Sequence, residues 1–357
     1  MRRAIQRGLG YAAYLTVVCI ALLEGVLRLG VIETPLHQER HAIRERLTSR
    51  PRVLILGDSF SLEGTDSVGT LLREHFASRG MDTINLSRMG EGPSFYLDRL
   101  TLYGDMVQPR LVLVNYFAGN DLTDTLYELS SRGRAKTLVK RVMARSFAAN
   151  ELIGVLHGFS LRRRLTHIQE SQDYKKPGLE KLTNPFMFEV RAQHPDFLLQ
   201  NLLQDSPESA QAWNANQRSL LEIARRTKQL GADLVVHIFP ADVQVQESHY
   251  AFYQALGILT DRRFLTSDRP QERLARFCAG AALRCYDLLQ ALRRASGREL
   301  YLEQDTHLNA DGNRIAFEQI RHNLDGANDP RHVARVQSDA AGEQVPRAPE
   351  VAARRRP

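Results

Sequence analysis

Residues 51–61 read P-R-V-L-I-L-G-D-S-F-S. Residues 52–56 make an almost wholly apolar run, bounded by Pro51 and Gly57 and too short for a helix, so the pattern predicts a buried strand. A strand buried on both faces belongs in a parallel sheet. Gly57 lets the chain turn sharply at the carboxyl edge of that strand, the edge where open α/β sheets bind ligands. Asp58 and Ser59 sit in the turn. A serine there can present its hydroxyl to the crevice as a nucleophile and its backbone N–H as an oxyanion donor. Taken alone, G-D-S is also an ordinary turn tripeptide.

Downstream segments add partners for that serine. A second apolar strand over 111–116 follows Pro109 and leads into Phe117, Ala118, Gly119, Asn120 and Asp121. The Asn120 carboxamide is a neutral donor able to stabilise an oxyanion without titrating, and Asp121 is read as holding the loop in shape. A short strand over 82–86 runs into a loop containing Gly90 and Gly92, which lacks the third glycine of a dinucleotide fingerprint. Near the end of the chain, His307 lies two residues after Asp305, just before a helix beginning at Ala310.

Ser59, Gly90, Asn120 and His307 stand in the order and with the approximate separations of the SGNH (GDSL-type) esterase and acyl-hydrolase family. The chain resembles that family over about residues 52–320, apart from 125–212. G-D-S-F at 57–60 and G-N-D at 119–121 match its first and third blocks letter for letter, while the Gly90 block and the last block are looser. The family's last block is usually D-x-x-H. Here Gln304 stands three before His307 and the carboxylate is Asp305, a D-x-H spacing found in some members and in the related periplasmic alginate O-acetyltransferase-like proteins. Glu303 is the alternative carboxylate. The resemblance implies Ser59 as nucleophile, His307 as general base and Asp305 as the group that orients the imidazole. It also implies an oxyanion hole from the Ser59 and Gly90 N–H groups with the Asn120 side chain, Gly90 resting mostly on the resemblance. The expected fold is α/β, a three-layer αβα arrangement around a mostly parallel, flavodoxin-like sheet.

The resulting acyl-enzyme gives three readings. With water as acceptor the chain is an esterase on acetylated saccharides or other small esters. With a sugar hydroxyl it is an O-acyltransferase acting on a cell-envelope polymer or exopolysaccharide. A third reading keeps the fold as a polymer-binding module without catalysis, against which the intact Ser59 and His307 argue. No cofactor and no metal site is expected; His37 and His41 are four apart, but Gln38 replaces the glutamate of the H-E-x-x-H zinc motif.

The 357 residues, 43% hydrophobic and 25% charged, suit one α/β domain of about 270 residues with flanking segments. Arg2, Arg3 and Arg7 precede an uncharged run over 8–23 whose apolar character resumes to Ile32. A span needs about 20 residues, which Glu24 and Arg28 permit by pairing four apart on a helix. Basic residues on the short side predict a cytoplasmic N-terminus, hence an inner-membrane, single-pass protein with its domain in the periplasm or otherwise outside the cytoplasm. A cleaved signal peptide is the competing reading. Residues 1–32 are thus an anchor, 33–50 a stalk, 51–324 the domain and 325–357 a disordered tail. Cys278 and Cys285 are either a disulfide, which that compartment permits, or two separate buried thiols.

A basic insert interrupts the domain over about 125–211. Between 130 and 176 it carries eleven basic and three acidic residues, a local excess larger than the whole chain's +7. Leu138, Val139, Val142, Met143 and Phe147 fall at helical spacing, predicting a basic amphipathic helix. Such a helix is a solvated face docked on the domain, a membrane-surface contact, or part of a groove for an anionic polysaccharide. Nucleic acid is not expected on that side of a membrane. Trp213 is read as a core anchor and His237 as a satisfied core residue.

Overall fold

The apolar run after Pro51 is β1 (Arg52–Gly57), flanked by β2 (Asp82–Asn85) and β3 (Leu111–Phe117); β4 (Asp233–Phe239) and β5 (Arg284–Asp287) extend the sheet past β3 in the computed structural model. The structure describes residues 2–153, 163, 166, 170, 179, 182, 184, 185 and 187–326. The strand order is β2-β1-β3-β4-β5 and every neighbouring pair is parallel. This is the flavodoxin-like order of the doubly wound folds, whose switch point lies between β1 and β3.

Alternate residues of β1 serve the two faces of the sheet. Leu54 and Leu56 join α4 (Pro93–Val107) and α8 (Pro207–Gln229) in one core, which also holds Trp213, while Val53 and Ile55 join α3 (Val68–Ser78) and α12 (Ala310–Gly326) in another. All four β1 side chains are fully buried, each worth roughly 1.5–3 kcal/mol relative to exposure. Helices from the crossovers thus cover both faces of the sheet, giving the expected three layers. α3 is capped by Ser67, whose side chain accepts from the Thr70 N–H.

α1 (Arg2–Arg28) is continuous, and its Gly10–Arg28 portion has a mean hydropathy of 1.8 with 6% of it buried, so by length and composition it can cross a membrane. The stretch read as a stalk with some helix is largely α2 (Pro35–Glu45), capped by Thr34 and seated on the domain. Its Glu39 accepts from Arg88, Arg99 and Tyr103, and Ile43 enters the main core. His37 packs against Phe147, with ring centroids 4.1 Å apart.

The insert begins with α5 (Asp121–Leu129) and α6 (Ser131–Arg145); further on, α7 (Met187–Gln193) and residues 197–203 form a separate small core with residues that follow β4, including α9 (Ser248–Leu256). Of the eleven basic residues between 130 and 176, Arg162, Arg164, Lys175 and Lys176 lie outside the described residues. α12 runs to Gly326, two residues into the stretch expected as a tail, and the rest of that stretch lies outside the described residues. Cys278, in α10 (Arg269–Gly280), is disulfide-bonded to Cys285 of β5, with Cα atoms 6.1 Å apart. His237 differs from expectation: it is buried with neither ring nitrogen hydrogen-bonded, and burial lowers its pKa to about 3, leaving it neutral.

Candidate active site

Beyond Gly57 the backbone tightens into a single 3-10 turn over Ser59–Ser61, capped by Asp58, whose side chain accepts from the Phe60 N–H at 3.0 Å. Glycine is needed at 57 because a Cβ there would overlap Ser61 Oγ. Two asparagines from neighbouring strands pin the turn: Asn115 of β3 donates to Ser61 Oγ at 2.9 Å and Asn85 of β2 to the Ser61 carbonyl at 2.5 Å. The serine is therefore held by the sheet itself. Its only conspicuous sequence signal beyond G-D-S is a polar Asn115 inside an otherwise apolar strand.

His307 arrives from the other end of the chain on a narrow loop. Leu302 N–H donates to the His307 carbonyl at 2.8 Å, Asn309 N–H to the Leu300 carbonyl at 2.9 Å, and Gln246 Oε1 accepts from both Leu300 and Tyr301 N–H groups. Within this frame His307 Nε2 lies 2.8 Å from Ser59 Oγ, and His307 Nδ1 lies 2.5 Å from Asp305 Oδ1. The same Asp305 oxygen accepts from the His307 backbone N–H at 3.1 Å. Glu303 is exposed. The Phe60 ring stacks on the imidazole with centroids 5.2 Å apart and planes 29° from parallel.

Asn120 and Gly90 sit on the loops after β3 and β2, and the Asn120 carboxamide is hydrogen-bonded to Asp58. Asn120 precedes α5 as its cap residue and is half-buried, and Gly90 lies in an exposed turn with φ +62°. Asp121 does hold the loop: its carboxylate accepts from Tyr96 Oη at 2.9 Å and from the Phe117 N–H at 3.1 Å. Sequence reasoning did not single out Gln246, Asn85, Asn115 or Phe60 as supports, because each acts through contacts between distant segments.

The electrostatics of the site are set by buried acids. Asp58 is fully buried; desolvation pushes its carboxyl up to about 6, opposed by the Phe60 N–H, by the charge on His307 and by the Asn120 carboxamide. Burial alone would lower His307, but the hydrogen bond and charge of Asp305, with Asp58 and Asp242 behind, raise it above the ordinary histidine value. Asp242, on the loop after β4, is itself bonded to His249 Nδ1 at 2.7 Å and to Tyr253 Oη at 2.9 Å. Among the described residues no three His, Cys, Asp or Glu side chains are gathered to hold a metal ion.

A hydroxyl, an imidazole and a carboxylate in hydrogen-bonded line at the carboxyl edge of a parallel sheet can deprotonate the hydroxyl during attack on an electrophilic carbon. No protein-family model and no curated protein matches the chain. Among solved structures it is similar to TesA (14% identity, TM-score 0.38, covering 76% of this chain and 97% of that one). It is also similar to a protein described as an SGNH hydrolase from Slackia heliotrinireducens (13%, 0.41, 77% and 100%) and to the acetyl xylan esterase AlAXEase (10%, 0.41, 76% and 98%). Likenesses this remote leave the roles to be argued from this chain's own side chains.

Proposed function

We propose that the chain is a serine ester hydrolase, an acyl hydrolase held in a membrane by α1 with its α/β domain outside the cytoplasm. The observation that carries the reading is the line from Ser59 Oγ through His307 to Asp305, at 2.8 and 2.5 Å. Ser59 Oγ adds to the ester carbonyl carbon while His307 Nε2 takes its proton, and the carbonyl electron pair moves onto oxygen. Asp305 fixes the imidazole tautomer through Nδ1–H and stabilises the imidazolium that forms. The oxyanion accepts hydrogen bonds from the N–H groups of Ser59 and Gly90 and from the Asn120 carboxamide. Collapse expels the alcohol, which His307 protonates, leaving Ser59 acylated. Water, deprotonated by the same imidazole, then releases the acid.

Saccharide esters and other small acyl esters, acetyl esters first, are the substrates this reading assigns. A sugar hydroxyl in place of water would make the same intermediate an O-acyltransferase. The apolar Gly10–Arg28 helix behind three N-terminal arginines supports the anchor, and the disulfide suits an oxidising compartment. A fluorophosphonate probe and a nitrophenyl acetate assay test the chemistry. Wild-type protein should be labelled and active, and Ser59→Ala neither, with a melting temperature close to wild type; undiminished labelling of Ser59→Ala would remove Ser59 as the nucleophile. Product analysis on acetylated oligosaccharide, with and without an unacetylated acceptor, separates hydrolysis from transfer.

A further inference from the structure

α6 packs on the domain through basic side chains, of which Lys140 and Arg141 are half-buried. Arg141 Nε donates to Asp98 of α4 at 2.6 Å, the Lys140 ammonium lies 4.4 Å from the Phe95 ring centroid, and the Lys136 ammonium 5.4 Å from that of Tyr127. The orientation is fixed by close contact with α5, since a Cβ on Gly133 would overlap the Tyr127 carbonyl. The opposite face carries Ala135, Leu138, Val139 and Val142 at i, i+3, i+4 and i+7 spacing, and the three larger side chains are 63, 41 and 44% exposed. A helix on the surface of a water-soluble body has the reverse arrangement, its apolar stripe turned to the core. The helix holds six basic and no acidic residues, with Arg134 and Arg145 exposed beside the stripe.

The end of α6 is joined to the end of the apolar span. Glu24 Oε2 accepts from Ser146 Oγ at 2.8 Å and from the Ala148 N–H at 2.9 Å, and Arg28 donates to the Arg145 carbonyl at 3.2 Å. Leu27 is buried with Phe147 and Ala148 in the same joint. The 19 residues from Gly10 to Arg28 extend about 28 Å along a helix, close to a bilayer's hydrocarbon thickness of about 30 Å. Arg28, and with it the end of α6, therefore falls at the headgroup layer.

We propose that α6 lies in that layer, its 138–142 stripe toward the acyl chains and its flanking arginines among the lipid phosphates, as a second, interfacial membrane contact that orients the catalytic domain on the bilayer. The proposal rests on α1 being inserted. Continuity with the span selects the lipid surface as occupant, and the surplus of cations complements anionic headgroups.

The test uses the full chain in vesicles of phosphatidylethanolamine and phosphatidylglycerol containing brominated lipid, in a Cys19→Ser background. A fluorophore is placed at Val17→Cys in the span, Val142→Cys in the stripe, or Leu259→Cys on an exposed loop as control. Each labelled protein must retain nitrophenyl acetate hydrolysis, which establishes that it is folded. The expected result is loss of most emission at positions 17 and 142 and none at 259. Quenching at 17 without quenching at 142 overturns the interfacial contact and leaves the anchor standing. A label at 142 that is shifted to the blue but unquenched overturns it as well, since another part of the chain or a second copy would then cover the stripe. Absence of quenching at both 17 and 142 overturns the contact together with the anchor.

Discussion

His307 has to be neutral before attack and cationic during it, and its surroundings favour the second state. Burial works against the imidazolium, but Asp305, Asp58 and Asp242 together raise its pKa above the ordinary 6.5. Hydrolysis needs the neutral base, so activity should rise with pH through a midpoint above about 6.5. Asp305→Asn removes the charge and sets an amide N–H donor against Nδ1, so the midpoint should move down while kcat falls by about three to four orders of magnitude through the wrong tautomer. Glu303→Gln, at an exposed position, should leave both nearly unchanged. Profiles of kcat/KM against pH for the three proteins decide the matter, and a larger loss in the Glu303 variant would transfer the orienting role to it. At this scale the sequence was informative where a residue's role follows from its type and its place in a turn, as for Ser59. It was silent on Gln246 and Asn85, whose work is to hold backbone from other segments.

α5 brings a different problem, because its first turn holds Asp121 and Asp124. Acids suit a helix N-terminus, yet here burial outweighs that advantage. Desolvation pushes the Asp124 carboxyl up to about 7, the charges of Asp58 and Glu128 add to it, and Lys140 and Lys136 pull back. A carboxyl raised in the folded state contributes stability that is complete below its ordinary value of 3.8 and is lost as pH climbs through about 7. The melting temperature should therefore fall across that window, and Asp124→Asn should flatten the fall, gaining on the order of 2 kcal/mol at alkaline pH, or several degrees. Calorimetry of the two proteins at acid and alkaline pH checks this, and parallel curves would discard the explanation. Elements marked by an unbroken apolar run, such as β1 and β3, were legible to within a residue. α2 was not, because its two buried apolar residues, Leu36 and Ile43, are seven apart and the rest of its attachment is Glu39 reaching Arg88, Arg99 and Tyr103. Those partners are neighbours only after folding.

For the whole molecule, two features remote in sequence make the same demand on compartment. In the topology proposed above, the apolar part of α1 that follows Arg2, Arg3 and Arg7 directs the α/β domain away from the cytoplasm, and the bond between Cys278 and Cys285 suits an oxidising environment. Neither depends on the other, since the disulfide ties α10 to β5 toward the amino end of that strand, the edge opposite Ser59. A closed loop of about eight residues should contribute roughly 2.5 kcal/mol by restricting the unfolded chain, which for a domain of this size is on the order of 5–10 °C. The full chain, expressed with its N-terminus intact, should thus carry no alkylatable thiol at 278 or 285. A form lacking residues 1–32 and retained in the cytoplasm should carry both and melt correspondingly lower, while hydrolysing nitrophenyl acetate at an unchanged rate. Mass shifts after thiol alkylation under denaturing conditions, with melting curves of the same samples, read both outcomes. Free thiols at both positions in the membrane-inserted full chain would mean that the domain faces the cytoplasm, and a glutathione-rich compartment would then have to supply its ester.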